Sequence, residues 1–308
     1  MEVDVSVIVT TKNEEKNIRR CLESIINQSV DVREIIIVDN ESSDKTVEIA
    51  SRYTEKIYQC GPERSAQRNF GIKSCATGKY VMYLDADMIL SRRCIEICHD
   101  KMSKSSRSVG LYVREIILGR SLFNSIRRFE RGFYDGSPID AVRFIRRDDF
   151  LIVGGFDEKL FEKGSGEDWD LDKSLKSIGS LDITDLQCSF GVVSESNEYQ
   201  ETRNFLTEHV DRYLDCDPII FHNETDLSLG KYLDKKIYYA SGFDGYIHKW
   251  GADDPDIKYQ FSIANRMFFV FIRHGGWLRI VRNPILFLGA FCLKALVGLA
   301  YIRFRMKR

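Results

Sequence analysis

The sequence predicts an α/β protein with a mostly parallel sheet, helices on both faces of that sheet and a helical C-terminal extension. Three observations support this fold class. Short apolar runs rich in β-branched residues alternate with amphipathic helix patterns through the first hundred residues. Polar clusters follow several of these runs directly. The C-terminal part of the chain is apolar and basic.

The elements follow in order from the pattern of apolar residues. A buried strand is predicted at residues 5–9, ending in the polar segment 10–14, and an amphipathic helix follows at 18–26. Further strands are predicted at 34–38, 56–60 and 80–84, with a helix at 64–76. From Val109 the pattern changes to longer β segments, and another helix is predicted to start at Glu167. Because ligands of parallel sheets bind beyond the carboxyl ends of strands, the polar segments 10–14, 39–44 and 85–87 are candidate binding residues.

Composition and charge restrict the class of protein. Hydrophobic residues make up 44% and charged residues 30% of the 308 residues, as expected of a folded protein. The net charge is −1, but residues 257–308 contain ten Lys and Arg and no acidic residue, so the remainder carries −11 (the −1 less +10). The acidic body argues against nucleic acid as a partner, and the basic end predicts contact with an anionic surface.

Cysteine usage and the N-terminus indicate the compartment. The eight cysteines are scattered without a Cys-x-x-Cys pair, which predicts reduced thiols and a cytosolic protein. The N-terminus has acidic residues where an export signal would need basic ones, so no export signal is predicted.

Two carboxylates follow the strand predicted at 80–84. Asp85 and Asp87 are two residues apart, which places both on one side of an extended segment. Mg²⁺ and Mn²⁺ prefer oxygen ligands and often complete their shell with substrate phosphates. An isolated pair of this kind is more often a solvated acidic turn, so the metal interpretation depends on the accompanying motifs.

Phosphate recognition is predicted at the start of the helix at 64–76. Neither a G-x-G-x-x-G fingerprint after the first strand nor a P-loop occurs. Instead, Arg64 and Arg68 lie one helical turn apart, where the helix dipole and free N–H groups already favour an anion. A solvated helix face is the alternative.

A third cluster follows a Gly-rich segment at 164–166. Glu167 and Asp168 lie in the predicted first turn of a helix, where acidic residues are favourable whatever their function. A carboxylate here can also take the proton of an acceptor hydroxyl as general base. Trp169 can offer a flat apolar face to a sugar ring.

Taken in order, these segments resemble the successive motifs of the family 2 glycosyltransferases. The motifs are SVIVTTKNEEKNIRRCLESI, EIIIVDNESSDKT, RSAQRNFGIKSCATGKYVMYLDAD and GGFDEKLFEKGSGEDWDL, spread over residues 4–178 in the order and spacing of that family. The tail from YYASGFDGYIHKWG onward is similar to members that act on membrane-bound acceptors. The resemblance implies a GT-A (Rossmann-like) fold with a membrane-associated C-terminal extension.

The resemblance also assigns roles to matching residues. It implies that the nucleotide sugar is bound by Thr10, Thr11, Asn13, Glu14, Asp39, Arg68, Asp85 and Asp87. Within that set, Asp39 would bond the uracil edge, Asp85 the ribose and Arg68 the diphosphate. The sequence departs from the family pattern after the first two strands, where Thr10 replaces a usual Pro and DNES replaces DDGS. This departure concerns the base and ribose contacts more than the metal site.

The remaining roles concern the metal ion and the acceptor. Asp87 would bind Mg²⁺ or Mn²⁺ with His222 as a second ligand, although a lone His more often has a structural role. Asp168 would be the catalytic base, with Glu167 and Trp169 near the acceptor.

The implied function is inverting transfer of a sugar from a nucleotide sugar, with UDP as the expected nucleotide, to a hydroxyl of a lipid-linked or glycan acceptor. The metal ion and Arg68 would stabilise the leaving diphosphate. A binding or scaffold protein without turnover is one alternative, opposed by the presence of all three carboxylates, Asp85, Asp87 and Asp168. A glycoside hydrolase using Glu167 and Asp168 as a pair is another. It is opposed by the divergence of about 100° between adjacent helical residues.

Two regions are predicted. Residues 1–230 form the catalytic domain, with a nucleotide-sugar half at 1–107 and an acceptor half at 108–230, and residues 231–308 form a helical membrane-associated region. Residues 285–302 contain Lys294 as their one charged residue and have basic flanks. A helix lying in the interface at the cytoplasmic face of a membrane, with Lys294 reaching out of the apolar layer, is favoured. The alternatives are a spanning helix and one packed on the catalytic domain or on a second subunit, which includes a homo-oligomer through this region.

Overall fold

The computed structural model describes residues 2–161, 166–184, 200–209, 218–240, 242–273 and 276–305. Gly164 and Ser165 of the predicted Gly-rich segment lie outside these residues, as do Cys188 and Cys216. The cysteines within the described residues are free thiols, namely Cys21, Cys60, Cys75, Cys94, Cys98 and Cys292.

The described elements alternate strands and helices through the first half of the chain. The strands are β1 (Glu2–Thr11), β2 (Asp31–Asp39), β3 (Ile57–Gln59), β4 (Tyr80–Asp85), β5 (Met88–Leu90), β6 (Ser108–Tyr112), β7 (Arg114–Leu118), β8 (Val142–Arg146), β9 (Ser180–Ile183) and β10 (Ile219–Asn223). The helices of the first 210 residues are α1 (Ile18–Ile26), α2 (Thr46–Ala50), α3 (Arg64–Phe70), α4 (Cys94–Lys104), α5 (Leu122–Arg131), α6 (Arg147–Ile152), α7 (Glu167–Lys176) and α8 (Gln200–His209). The later helices are α9 (Leu229–Ala240), α10 (Phe243–Trp250), α11 (Pro255–Phe261), α12 (Val270–Ile272), α13 (Trp277–Arg282) and α14 (Pro284–Arg305). Two π-helical turns occupy Gly71–Cys75 and Asn265–Phe269.

The main sheet has seven strands in the order β3-β2-β1-β4-β8-β6-β9. Strands β3, β2, β1 and β4 are parallel neighbours, β8 is antiparallel to both β4 and β6, and β9 is parallel to β6. A second sheet, β5-β10-β7, pairs β10 antiparallel to β5 and parallel to β7. The predicted mostly parallel sheet flanked by helices is confirmed.

The core lies on both faces of this sheet because side chains alternate along each strand. Val5, Val7 and Val9 of β1 are buried against one face of α1, while Ile8 points to the other side. Burying such a side chain contributes about 1.5–3 kcal/mol. Alternation in β1 therefore fixes which side of the strand meets α1.

The predicted helix at 64–76 is α3 followed by the π-helical turn. This segment lies close to β1 and β2, and a Cβ on Gly71 would lie 2.7 Å from Ile8 Cγ2 and 3.1 Å from Val38 Cγ2. Glycine therefore allows the helix to approach the sheet. The close approach brings Arg68 onto the carboxyl edge of the strands.

The C-terminal helix packs on the part of the chain that precedes it. The predicted domain boundary at residue 230 falls within α9, and α14 packs against α5 and α9. In α14, Lys294 Nζ lies 3.1 Å from Glu130 Oε1 of α5. The prediction that Lys294 reaches out of the apolar layer is wrong, because its amine turns into the protein to meet this carboxylate.

The opposite face of α14 is exposed. Among the described residues, the segment Pro284–Arg303 is the one stretch long and apolar enough to cross a membrane by length and composition, and 11% of it is buried. The 22 residues of α14 extend about 33 Å at 1.5 Å per residue. Its exposed apolar side chains are Ile285, Leu288, Leu296, Leu299 and Ile302. The helix therefore combines a packed face with an unpartnered apolar face.

Candidate active site

Three polar segments meet where the parallel strands end. The register pairs Thr10 of β1 with Asp85 of β4, and Thr11 of β1 with Asp39 of β2. Neighbouring strands lie about 4.8 Å apart, so these side chains form one continuous surface. The structure therefore brings together the polar segments predicted at 10–14, 39–44 and 85–87.

The loop after β1 is tied to the loop after β2. The backbone N–H of Asn13 donates to Ser42 Oγ at 2.8 Å, and Asn13 Oδ1 accepts from the Ser43 N–H at 2.8 Å. Asn13 has φ of 55°, in the left-handed region that Asn adopts more readily than most residues. The Glu14 N–H donates to Thr46 Oγ1 at 2.7 Å. Asn13 and Glu14 are thus held at the ends of β1 and β2.

Thr10 and Glu14 of the first polar segment both interact with Asp85. Thr10 Oγ1 donates to Asp85 Oδ1 at 3.1 Å. Burial raises the pKa of Glu14 and the charges of Asp87 and Asp85 add to the rise, against a hydrogen bond from the neighbouring Asn17. The hydroxyl of Thr11 is buried and has no hydrogen-bond partner within the described part of the chain.

Asp39 is fully buried at the end of β2. Its carboxylate accepts from the N–H of Ser42 at 2.8 Å, from Ser42 Oγ at 2.5 Å and from Gln59 Nε2 at 3.0 Å. Gln67 Nε2 donates to the backbone oxygens of Thr11 at 3.0 Å and of Val38 at 2.7 Å. Sequence reasoning did not identify Gln59 or Gln67, and the contact of Asp39 with a nucleobase stays a prediction.

At the centre of the site, Arg68 lies fully buried between two carboxylates. Its Nη2 donates to Asp85 Oδ1 at 2.8 Å, and its Nη1 donates to Asp168 Oδ1 at 3.0 Å. The guanidinium carbon lies 4.9 Å from the ring centroid of Tyr83. One side chain of α3 thus connects the end of β4 with the start of α7.

The charges of this cluster stabilise one another. Burial disfavours the ionised form of Asp85, but the guanidiniums of Arg68, Arg64 and Arg143 outweigh burial and hold its pKa well below the usual range. Burial likewise disfavours the charged form of Arg68, yet Asp85 and Asp168 outweigh it and raise the pKa of Arg68. Both groups are therefore charged at neutral pH.

Glu167 and Asp168 have different partners although they are adjacent. Arg64 Nη2 donates to Glu167 Oε1 at 3.0 Å, whereas Asp168 is held by Arg68. Burial raises the pKa of Glu167, the charge of Asp168 adds to the rise, and Arg64 opposes it. The side chain of Asp168 is 23% exposed, and its Oδ2 accepts no hydrogen bond from the described residues.

The second ligand predicted for the metal ion lies beside the first. His222 Nε2 is 3.1 Å from Asp87 Oδ2, and His222 Nδ1 is 2.8 Å from Glu115 Oε1. The N–H of Asn223 donates to the backbone oxygen of Asp87 at 2.9 Å, which fixes β10 against this segment. Burial disfavours the charged imidazole, but Asp87 and Glu115 outweigh it and raise the pKa of His222 well above its ordinary value.

Asp87 and His222 provide part of the ligand set that a divalent cation needs. Asp87 Oδ1 is buried without a hydrogen-bond partner, and a ligating His commonly has its second nitrogen held by a carboxylate, as Glu115 holds His222. Within the described ranges, no three His, Cys, Asp or Glu side chains are grouped to hold a metal ion alone. A cation here would therefore need ligands from a substrate, as Mg²⁺ often does.

The surroundings of Trp169 limit its predicted role. Its Nε1 donates to the backbone oxygen of Ile139 at 3.1 Å. Its ring stacks on Phe243 of α10 with centroids 5.6 Å apart and planes at 9°, and the ring of Phe261 lies nearly perpendicular to it with centroids 6.0 Å apart. The stacked face is covered by the C-terminal part of the chain and is closed to a sugar ring. Contact of Trp169 with an acceptor stays a prediction.

Two further charged residues belong to the site although sequence reasoning missed them. Glu115 on β7 holds His222 as described above. Arg143 on β8 is buried, its Nε and Nη1 have no hydrogen-bond partner among the described residues, and its guanidinium lies 5.4 Å from the ring centroid of Tyr83. The available signal was a charged residue within each of the short apolar runs REIIL and VRFIR.

The sheet and the charged cluster at its carboxyl edge define a protein of the GT-A class. Residues 6–151, which carry Arg68, Asp85 and Asp87, match the family described as glycosyl transferase family 2. Asp168 and His222 lie beyond the matched residues.

Similarity to a curated relative covers a shorter segment. The uncharacterized glycosyltransferase YibD of Escherichia coli (strain K12) is 42% identical over 89 residues, which are 27% of this chain and 26% of the relative. The match thus spans about a quarter of that relative's length.

Two solved structures share the fold over nearly the whole chain. The mannosyltransferase PcManGT from Pyrobaculum calidifontis, in complex with GDP-Man and Mn²⁺, has a TM-score of 0.53 at 17% identity and covers 97% of this chain and 76% of its own. S. aureus TarS 1-349 in complex with UDP has a TM-score of 0.50 at 18% identity, with 97% and 88% covered. At this identity, both similarities establish the fold alone.

Proposed function

We propose that this protein transfers a glycosyl group from a nucleoside diphosphate sugar to an acceptor hydroxyl, with inversion at the anomeric carbon. The observation that carries the proposal is the position of Arg68, which connects Asp85 on the donor side with Asp168 on the acceptor side. A donor sugar bound beside Arg68, with its diphosphate toward Asp85 and its anomeric carbon toward Asp168, would have its leaving group and its attacking group on opposite sides. The family 2 domain at 6–151 supports this reaction class.

The donor would lie along the carboxyl ends of β1, β2 and β4. The segment from Thr10 to Glu14 and the buried Asp39 would line the nucleoside pocket, with Arg68 near the diphosphate. TarS was solved with UDP and PcManGT with GDP-Man, so both nucleotides occur among proteins of this fold. We retain a UDP-sugar as the expected donor.

Asp87 and His222 would hold a Mg²⁺ or Mn²⁺ ion. When bound, such a cation withdraws electron density from the departing diphosphate. The residues of the chain do the positioning: Glu115 fixes the ring of His222, and β10 fixes the backbone of Asp87. The solved structure of PcManGT contains Mn²⁺, which supports a divalent cation.

Asp168 would act as the base. The acceptor oxygen forms a bond to the anomeric carbon as the bond from that carbon to the diphosphate oxygen breaks, and the hydroxyl proton passes to Asp168. Because Arg68 engages Oδ1 and the Asp168 side chain is partly exposed, Oδ2 is the oxygen left for an acceptor. The pairing of Glu167 with Arg64 argues against a hydrolase that uses Glu167 and Asp168 as one clamped pair.

The reaction would take place at the cytoplasmic face of a membrane on a lipid-linked or glycan acceptor. The exposed apolar face of α14 supports attachment, and the basic residues around it would attract anionic lipid at about 1 kcal/mol each. Because Lys294 is paired inside the protein, an interfacial helix needs no charge within the apolar layer.

The test is a panel of nucleotide sugars measured by thermal shift with and without Mn²⁺, followed by product analysis with the donor that binds. Ligand binding stabilises the folded protein by mass action, by about 2.7 kcal/mol at a hundredfold excess over Kd. We expect one donor to raise the melting temperature and to do so more with Mn²⁺. Failure of every donor to bind would overturn the proposal, and release of free sugar without transfer would favour a hydrolase.

A further inference from the structure

A group of positive charges lies where the apolar helix α14 meets the catalytic part of the chain. The group, here called the junction cluster, comprises Arg127 of α5, Lys236 of α9, Arg266 of the second π-helical turn and Lys294 of α14. Arg127 Nη2 lies 3.0 Å from Glu224 Oε1 and Arg127 Nη1 lies 3.3 Å from Glu130 Oε2. Lys294 Nζ shares the carboxylate of Glu130 at 3.1 Å.

The carboxylates of the cluster, Glu130 and Glu224, are fewer than its cations. In the part of the chain that the structure describes, neither Lys236 nor Arg266 has a carboxylate within 4.0 Å. Lys236 Nζ lies 5.3 Å from the ring centroid of Tyr232, and Arg127 lies over the same ring at 4.6 Å. Arg266 Nε donates to the backbone oxygen of Gln260 at 2.6 Å. With all four cations protonated, the cluster has two more positive charges than its carboxylates balance.

This excess positive charge is partly buried. Burial lowers the pKa of Lys236 to about 7, and the like charges of Arg127 and Arg266 add to the decrease while Glu130 opposes it. A poorly neutralised amine among other cations is destabilising unless an anion binds. A phosphate group is suited to such a place because Lys and Arg both donate charge-assisted hydrogen bonds to its oxygens.

The cluster adjoins the candidate active site on two sides. Lys235, the neighbour of Lys236 on α9, lies near the charges of Asp87 and Arg64. Arg266 lies 5.8 Å from the ring centroid of Trp169, the residue after Asp168. An anion in the cluster would therefore lie beside the acceptor side of the catalytic carboxylates.

An exposed apolar surface adjoins the cluster at Arg266. The π-helical turn that carries Arg266 also presents exposed aromatic side chains, and the helices that follow continue the surface. The exposed apolar residues of this stretch are Phe268, Phe269, Ile272, Trp277, Leu278 and Val281. Cations of the cluster and exposed apolar side chains thus lie next to one another along this part of the chain.

We propose that the junction cluster binds a phosphate group of the acceptor, which is an amphiphile whose phosphate connects the reacting sugar to a hydrocarbon chain. This inference rests on the proposed function. The phosphate lies among Lys236, Arg266 and Arg127, the hydroxyl reaches Asp168, and the chain extends along the exposed apolar residues toward the membrane. Lys236 and Arg266 are positioning residues for the acceptor and take no part in the donor site.

The experiment measures binding of farnesyl phosphate and of farnesol in detergent micelles to the full chain. We expect the wild-type protein to bind farnesyl phosphate at least tenfold more tightly than farnesol. Lys236→Gln and Arg266→Gln should weaken farnesyl phosphate binding at least tenfold and leave farnesol binding within twofold. Lys231→Gln, on the exposed side of the same helix, is the matched control and should change neither. Equal binding of the two probes, or an unchanged Lys236→Gln variant, would overturn the inference.

Two further measurements separate the possible causes. Lys236→Gln should leave flotation with phosphatidylglycerol vesicles unchanged. If this variant loses flotation but still binds farnesyl phosphate like the wild type, the cluster binds lipid headgroups and the inference is overturned. Lys236→Arg should restore binding, which a merely structural role for the amine would not predict. The proposed transfer reaction is tested separately by donor binding. If the protein binds farnesyl phosphate but no donor, the transfer reaction is overturned and the phosphate site stands. If it binds a donor but does not distinguish farnesyl phosphate from farnesol, only the phosphate site is overturned.

Discussion

Arg68 Nη1 lies 3.0 Å from Asp168 Oδ1, and Arg68 Nη2 lies 2.8 Å from Asp85 Oδ1. Because Arg68 is fully buried, moving either carboxylate would leave part of a buried cation unpaired. The distance between the carboxylates of Asp85 and Asp168 is therefore set by one side chain. This relationship gives each carboxylate a distinguishable mutant phenotype.

Asp168→Asn should abolish most transfer while retaining donor binding. The amide oxygen can still accept from Arg68 but cannot take a proton, so the rate should fall by about 10²–10⁴-fold, the usual contribution of a general base. Transfer rate and donor Kd are measured on the same preparation. Asp148→Asn, at an exposed position of α6, is the control and should keep both values. A loss of donor affinity equal to the loss of rate would instead place Asp168 in the donor site.

Asp87→Ala should remove the dependence of donor binding on Mn²⁺. The substitution deletes a carboxylate oxygen that is buried without a hydrogen-bond partner, so the fold should survive. Isothermal titration with and without Mn²⁺ measures the effect, and near-wild-type metal dependence would show that the cation is held elsewhere.

Glu115→Gln should weaken binding of the metal ion, although Glu115 is not one of its proposed ligands. Glu115 holds His222 Nδ1 at 2.8 Å, and loss of such a partner typically costs about 10–100-fold in metal affinity. The activity at limiting Mn²⁺ should fall and should recover at high Mn²⁺, with kcat close to wild type. Since Glu115 also lies 3.4 Å from Arg131, thermal unfolding is measured alongside. A fall in kcat that excess Mn²⁺ leaves uncorrected would contradict the positioning role.

The grouping of the polar segments of the proposed donor site could be predicted from the sequence because each segment follows a strand of the parallel sheet. Thr10, Asp39 and Asp85 each come directly after an apolar run, and parallel strands bring such ends together. Glu115 and Arg143 could not be placed in the same way. They come from β7 and β8, whose positions beside β10 and β4 depend on pairings over long sequence separations.

On the proposed acceptor side, the local sequence pattern was insufficient to predict the contacts of individual side chains. Trp169 was recognised from its position after Asp168, but the ring that covers it, Phe243, lies more than seventy residues later. Lys294 was read as a charge within an apolar helix, and its partner Glu130 lies on α5. In both cases a contact between distant segments decides the role of the side chain.

Glu34→Gln should destabilise the protein at neutral pH but have little effect in acid. Burial disfavours the charged form of Glu34, but hydrogen bonds from Lys56, Ser6 and Thr77 outweigh it and lower its pKa to about 2. Because the folded pKa lies below the ordinary value of about 4.3, the stabilisation is present above that value and is lost as the pH falls toward 2. The lost stability at pH 7 should be about 2 kcal/mol, less than the full shift implies because Lys56 is half exposed.

The measurement for Glu34 is urea unfolding of both proteins from pH 7 down to pH 3. The difference in unfolding free energy should shrink steadily below pH 5. Asp4→Asn, which removes an exposed ion pair, should change stability by less than about 0.5 kcal/mol throughout. A difference for Glu34→Gln that stays constant with pH would mean that its charge contributes nothing.

The double substitution Leu288→Glu and Leu299→Glu should release the protein from membranes while leaving it folded. Both side chains are more than 60% exposed on α14, and burying each in lipid contributes about 1.5–3 kcal/mol. Flotation with anionic vesicles should therefore fall at least about tenfold. Truncation before α14 is a poorer test because it also removes Lys294 from Glu130.

Lys294→Met is the complementary variant: it should lower thermal stability, since it leaves a buried carboxylate with one cation fewer, and leave flotation unchanged. Release of the wild-type protein by high salt would indicate an interfacial helix, whereas resistance to salt would indicate a spanning one. If the double variant floats like the wild type, the exposed face of α14 is not the membrane contact.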